Sequence, residues 1–221
     1  MDGTSVPEIR VQRLPSSHTA PLLKRKARMD QTDLFGPPAQ PAPAFPPGFR
    51  YQPDVITPDE ERVALERMRD LPFKEFEFHG FTGKRRTVSF GWRYEFGAER
   101  LHRTDDMPDF LVALREPAAR FAGMDPARLQ HVLVTEYSEG AAIGWHRDKH
   151  VFGEVVGLSL LSPCTFRLRR QAGDGWERVN LVAEPRSAYL LSGASRTEWE
   201  HSIPGVAELR YSITYRNLRE E

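Results

Sequence analysis

His146 and Asp148 stand two residues apart in the segment IGWHRDKH, Ile143 to His150. A neutral imidazole nitrogen and a carboxylate oxygen are donors a first-row transition metal takes from protein, and residues i and i+2 of a strand point the same way. Two donors hold such a metal poorly. The best third donor is His201, 55 residues further on in TEWEHSIPG. Two imidazoles and one carboxylate on one face of a metal leave positions open for a co-substrate and O2, the arrangement that non-haem Fe(II) uses. Zinc would ask for a nearly closed tetrahedral set, and the sequence offers no fourth donor. On its own, however, His-x-Asp is equally an exposed polar turn, and His201 a surface residue beside Pro204-Gly205.

The last strand-like segment, LRYSITYR, adds a second kind of site. Arg210, Ser212, Thr214 and Arg216 share one face, and Tyr211, Ile213 and Tyr215 the other. Two arginines and two hydroxyls turned inward are costly to bury without anionic partners. A guanidinium matches a carboxylate through paired hydrogen bonds, so this face reads as a receptor for a small diacid. The alternative is that the arginines face water and the Tyr-Ile-Tyr face is the core.

The elements that must carry these residues are readable from pattern. ITPDEERVALERMRDLP has Thr57 as N-cap, Pro58 at the first helical position and Glu60 three residues after the cap, which predicts a helix with Val63, Ala64, Arg67, Met68 and Leu71 on one side. A second helix is expected from about Pro108 to Phe121, bent near Pro117 and stopped by Gly123. In RTVSFGWRYEF, Val88, Phe90, Trp92, Tyr94 and Phe96 alternate with polar residues, a half-buried strand with Gly91 as a bulge. HVLVTEY, VVGLSLL, TFRLRR, SAYLLSG and LRYSITYR continue the series of strands. Helices first and many short strands after give an α+β class, with an antiparallel barrel or sandwich backed by helices.

Composition bounds the rest. With 31 basic and 31 acidic residues the formal charge is zero, which excludes a protein that simply coats nucleic acid but leaves a local basic patch open. The single cysteine, Cys164, excludes an internal disulfide and a cysteine-built zinc site, and fits a reducing compartment. No apolar run reaches the ~18 residues of a membrane span, so an intracellular protein without membrane contact is expected, cytoplasmic or, in a eukaryote, nuclear; a monomer is expected. Half of the 18 prolines fall in the first 50 residues. Residues 1–48 read as a disordered Pro-rich tail, with GPPAQPAPAFPPG (Gly36 to Gly48) extended and unpacked, and 49–221 as the domain. The tail holds a basic cluster, KRKAR, and QTDLF, Gln31 to Phe35. QTDLF resembles the Gln-x-x-Leu-Phe peptide by which bacterial replication and repair proteins dock on the sliding clamp. Solvated tail is the bland reading of both.

His146-x-Asp148, distal His201 and Arg210-x5-Arg216 together resemble the AlkB family of Fe(II)- and 2-oxoglutarate-dependent dioxygenases. EYSEGAAIGWHRDKH is similar to that family's approach to its His-x-Asp motif, and VVGLSLLSPCTFRLRR to its Ser-Leu strand. The resemblance implies a double-stranded β-helix (jelly-roll, cupin-like) core backed by N-terminal helices, with Fe(II) on His146, Asp148 and His201, 2-oxoglutarate as co-substrate and O2 as oxidant. It places the distal carboxylate of 2-oxoglutarate on Arg210, with Tyr137 and Arg216 as further contacts. Thr135 stands where the family often has Asn, offering one hydroxyl in place of an amide. The expected reaction yields succinate and CO2 and hydroxylates an N-methyl group, which leaves as formaldehyde.

For substrate, the resemblance places a lid at GKRRTVSFGWRYEF. There Arg86 is a phosphate contact, alongside Lys84 and Arg85, while Phe90, Trp92 and Tyr94 are surfaces for a flipped base. A solvated arginine edge over an aromatic core is the competing reading. His150 replaces an acidic base-reading residue of some relatives. The expected partner is alkylated DNA or RNA, single-stranded or with its base flipped out. A protein or other non-nucleic substrate is the alternative.

Overall fold

Thr57 opens helix α1 (Pro58–Met68) as the sequence predicts: its hydroxyl accepts the Glu60 N–H, and Glu60 accepts the Thr57 N–H in return. Two donors that a helix start leaves unpaired are thereby satisfied. The structure, a computed structural model, describes residues 45–78, 81–95 and 100–219. KRKAR, QTDLF and most of the Pro/Ala segment lie outside the described residues. The buried stripe of α1 departs from expectation. Ala64 and Met68 are buried, but Val63 is 41% exposed and Glu61 is buried in its place. Glu61 accepts the Leu161 N–H at 2.9 Å and meets Arg186 at 3.2 Å, so a charged side chain replaces an apolar one at the helix–sheet seam.

Helix α2 (Asp109–Ala122) continues through Pro117 and stops at Gly123, whose φ of 70° makes the left-handed cap. Its Leu111, Leu114, Ala118 and Ala119 join Ala64 and Met68 against one face of a seven-stranded sheet. The Tyr215 hydroxyl donates to the Leu111 carbonyl at 2.6 Å, pinning helix to sheet.

That sheet runs in the order β1 (Phe49–Gln52), β11 (Ala188–Leu191), β8 (Phe152–Leu160), β13 (Arg210–Leu218), β6 (His131–Tyr137), β3 (Phe81–Phe90) and β2 (Lys74–Phe78). A four-stranded sheet has the order β10 (Gly175–Ala183), β9 (Cys164–Ala172), β12 (Glu200–Ile203) and β7 (Ile143–His146). Neighbours in both are antiparallel. Between the sheets Phe49, Tyr137, Val155 and Leu191 meet Phe166, Leu168, Val179 and Ile203 in a second core. This is the jelly-roll expected, with helices behind the larger sheet. Every other residue of β6, β8 and β13 therefore faces the helices, and the alternate ones face the interior between the sheets.

The expected strand through RTVSFGWRYEF is broken. Gly91 has φ 79°, and a Cβ there would lie 2.1 Å from the Gln130 carbonyl oxygen. The chain turns at that point, and β4 (Trp92–Glu95) pairs with β5 (Arg100–Arg103) in a separate hairpin. Residues 45–48, expected to be unpacked, are also engaged. The Gly48 carbonyl accepts from Ser192 N and Oγ, and the Pro47 carbonyl from Ser195 N, at the start of the short helix α3 (Gly193–Thr197).

Tyr189 on β11 is directly opposite Gly157 on β8, and fills the space a side chain there would need: a Cβ on Gly157 would lie 2.2 Å from the ring. Gly157→Ala is expected to lower stability by about 1–3 kcal/mol, read as a lower urea midpoint with an unchanged slope.

Candidate metal centre

β7 ends on His146 and β12 carries His201 directly opposite it, so both imidazoles point between the sheets with ring centres 4.2 Å apart. Asp148 completes the group: one donor atom from each of the three lies within 4.8 Å of the others. The expectation that His146 and Asp148 share a strand face is corrected, because β7 stops at His146 and Asp148 lies in the loop beyond. Two arginines fix that loop instead. Arg196, on α3 and buried, donates to the carbonyls of Lys149, Phe152 and Gly153 at 2.7–2.8 Å. Arg216, from β13, donates through Nε to Asp148 Oδ1 at 2.8 Å, and its Nη2 reaches the same oxygen.

The protonation states suit a cation. Burial, then the neighbouring His146, pushes His201 down to about 3, and burial likewise lowers His146. Burial would raise Asp148, but the Arg216 guanidinium beside it holds it well below the usual carboxylate range. The site is therefore one carboxylate and two neutral rings, so the 3.7 Å approach of His201 Nε2 to Asp148 Oδ2 is not an ion pair. His146 Nδ1 lies 2.9 Å from the Gly144 carbonyl, so its N–H donates there and Nε2 keeps its lone pair for a ligand. Asp148 Oδ2, turned away from Arg216, is buried with no hydrogen-bond partner. An anionic oxygen left this way is expensive unless a cation meets it. A divalent transition metal fits the donors and removes the deficit.

The same interior holds a second group, one suited to an anion. Arg210 is 2% exposed; it donates to Ser159 Oγ at 2.9 Å and stacks 4.8 Å from the centre of the Tyr137 ring. Its Nε and Nη1 are buried without partners. Ser212 and Thr214 are buried on the same face of β13, and Thr135 of β6 is opposite Ser212. The alternative in which these arginines face water is excluded: both faces of β13 are buried. Arg216 is committed to Asp148 and lies 3.4 Å from His131 Nδ1, so of the two arginines Arg210 carries the spare donors.

Of the substrate-side residues, two are elsewhere. Phe90 is 6% exposed in the core under α2, and Arg86 makes a two-pronged pair with Glu136 at 2.7 and 2.8 Å on the helix side of the sheet. Alternation along β3 puts Arg85, not Arg86, on the inner face, opposite Tyr137 and hydrogen-bonded to it. Trp92 and Tyr94 stand on the β4–β5 hairpin. Tyr94 meets the metal-side loop, with the Lys149 ammonium 5.2 Å from its ring centre. Two residues of the site have places the sequence does not signal. Arg85 reads only as one of three phosphate contacts, and Tyr189 reads as ordinary strand, though its ring is packed on Phe166 and its buried hydroxyl is held above the usual phenol range by burial, then Asp148 and Tyr137.

The metal-free protein is expected to lose stability on acidification. His201 stays neutral to about 3 when folded, against 6.5 when unfolded, so the unfolded chain binds the proton first as pH falls. Between pH 7 and 5 this residue should cost about 2 kcal/mol. Urea unfolding at the two pH values measures the loss, and His201→Asn should make it smaller.

The sequence profile of the 2OG-Fe(II) oxygenase superfamily matches residues 48–216. The Alkylated DNA repair protein ALKBH8 homolog of Arabidopsis thaliana is 28% identical over 72% of this chain and 51% of its own length. The chain thus spans about half of that relative. The mitochondrial Alpha-ketoglutarate-dependent dioxygenase alkB homolog 7 of Bos taurus is 30% identical, over 74% of this chain and 68% of its own. Among solved structures, OsALKBH1 superposes with a TM-score of 0.59 at 17% identity, covering 80% of this chain and 100% of that one. A 2OG-Fe(II) oxygenase family oxidoreductase from Burkholderia pseudomallei gives 0.57 at 16% identity, covering 79% and 86%. The donor set, the fold and these relatives agree: the chain belongs to the 2OG-Fe(II) oxygenase superfamily as an AlkB-like dioxygenase, and that membership implies Fe(II), 2-oxoglutarate and O2.

Proposed function

We propose that the protein removes N-alkyl groups oxidatively from nucleobases of DNA or RNA, as a repair activity in the cytoplasm. The observation that carries the chemistry is the pairing of an unpartnered carboxylate oxygen on Asp148 with two unpartnered guanidinium nitrogens on Arg210. One calls for a cation, the other for a carboxylate. The nucleobase is favoured by the Arabidopsis relative, whose name is that of an alkylated DNA repair protein, and by the hairpin aromatic Tyr94 beside the metal-side loop. Relatives named as tRNA methyltransferases keep RNA within the proposal.

In this reading His146, Asp148 and His201 hold Fe(II), which supplies O2 activation coupled to the conversion of 2-oxoglutarate to succinate and CO2. Arg210 takes the distal carboxylate of 2-oxoglutarate, flanked by Tyr137 and Thr135. Arg216 keeps Asp148 anionic and oriented. One oxygen atom of O2 enters succinate and the other the substrate, turning N–CH3 into N–CH2OH. The C–N bond then breaks, giving N–H and formaldehyde. The surrounding walls, Tyr189 and Phe166 among them, keep water from the reacting carbon. QTDLF would tether a monomeric enzyme to a sliding clamp.

With Fe(II), ascorbate and 2-oxoglutarate, the purified protein should release formaldehyde from an oligonucleotide carrying 1-methyladenine or 3-methylcytosine. Succinate formed only with a protein substrate would replace the nucleobase reading. Arg210→Ala should raise the KM for 2-oxoglutarate about 10- to 100-fold while leaving iron content unchanged, the loss of a charge-assisted pair. Deleting residues 1–44, which spares the packed Pro46–Gly48 turn, should leave turnover on a short oligonucleotide intact and abolish clamp binding in a pull-down.

A further inference from the structure

The outward face of the four-stranded sheet carries a stack that the catalytic reading does not use. Arg169 lies between two indoles, 4.4 Å from the centre of the Trp145 ring and 4.0 Å from that of Trp176. Arg167 lies 4.9 Å from Trp145 and donates to Ser202 Oγ. Arg178 on β10 is directly opposite Arg169 on β9. The alternate residues, His146, Phe166, Leu168 and His201, face the interior, so the stack occupies the other side of the same strands.

Three guanidiniums on adjacent strands repel one another, and like charges directly opposite are unfavourable. Among the described residues of these four strands, the carboxylate on this face is Glu200, held by Arg169 at 2.7 Å. Glu177 and Glu198 are taken by Arg170. The formal charge of the chain is zero, so the excess is local. Trp176 is also 39% exposed, a large apolar surface left in water beside it. Guanidiniums over indole rings keep their charge there, and an exposed indole can accept an unstacked base regardless of its identity. Together they match a single strand of nucleic acid: phosphates for the arginine edges and a base for the indole. β7 is one edge strand of the sheet, with His146 facing in and Trp145 facing out. A strand that delivers one nucleotide to the interior can cross that edge onto the outer face.

We infer that this face is a second nucleic-acid contact, taking the single strand beside the alkylated nucleotide, with phosphates on Arg167 and Arg178 and a base on Trp176. The inference rests on the nucleobase reading above and adds to it the part of the molecule that grips the rest of the strand.

The test uses the full chain with Fe(II) and 2-oxoglutarate, a labelled unmodified single strand of about 16 nucleotides, and a methylated trinucleotide too short to reach the outer face. The doubly substituted Trp176→Ala/Arg178→Ala protein should bind the long strand about tenfold or more weakly by anisotropy. Its log affinity should fall less steeply with log salt, by about 0.7 for the lost phosphate contact. Formaldehyde release from the trinucleotide should be unchanged, and Trp176→Phe should keep most of the affinity. If the trinucleotide is demethylated and the double variant binds the long strand as the wild type does, the outer contact is overturned while the activity stands. If the wild type neither binds the strand nor releases formaldehyde, the nucleobase reading falls and the contact with it. Binding of an acidic peptide that the double variant loses, with strand binding untouched, overturns the inference in favour of a protein partner.

Discussion

A carboxylate cannot be buried without something of opposite sign, and Asp148 is the carboxylate around which this fold is arranged. Arg216 satisfies one of its oxygens and leaves the other bare. The two rings beside it are kept neutral by burial, so neither forms an ion pair with the second oxygen. The site is therefore complete in geometry yet leaves one carboxylate oxygen unpartnered. That imbalance is the property of a metal centre, and it needs the jelly-roll to persist: β13 must present Arg216 from the larger sheet while β7 and β12 present the imidazoles from the smaller one.

The same logic separates the two arginines of the last strand. They sit on one face, six residues apart, and look equivalent in sequence. Arg216 is spent on the metal side, whereas Arg210 is sealed in with two idle nitrogens. A buried guanidinium with idle donors suits an anionic ligand, and six residues of β13 set it apart from Arg216.

Much of this was legible in the sequence because it depends on local rules. The capping box of α1, the left-handed stop of α2 and the alternation along β13 all follow from neighbouring residues, and the structure realises them. The His-x-Asp pair and distal His201 also converge, but not for the reason that alternation gives: Asp148 is placed by Arg196 and Arg216, which arrive from far along the chain. Alternation failed at Gly91, because the close approach of the Gln130 carbonyl ends β3 there and sends Trp92 and Tyr94 into another hairpin. Phe90 and Arg86, which precede the break, lie on the helix side by the alternation of β3 itself. Tyr189 was invisible for a related reason. Its position is defined by a missing side chain, Gly157, on a strand remote in sequence.

The attachment of Pro47 and Gly48 to Ser192 and Ser195 has a mechanical side. Ser192 caps α3 and Ser195 lies within it, and α3 carries Arg196, whose three hydrogen bonds set the course of the loop bearing Asp148. The chain thus enters its domain through the very helix that disciplines the metal-side loop. A displacement of the Pro47–Gly48 turn would therefore be felt at α3, one side chain away from Asp148, as well as at the edge of the broad sheet that β1 joins.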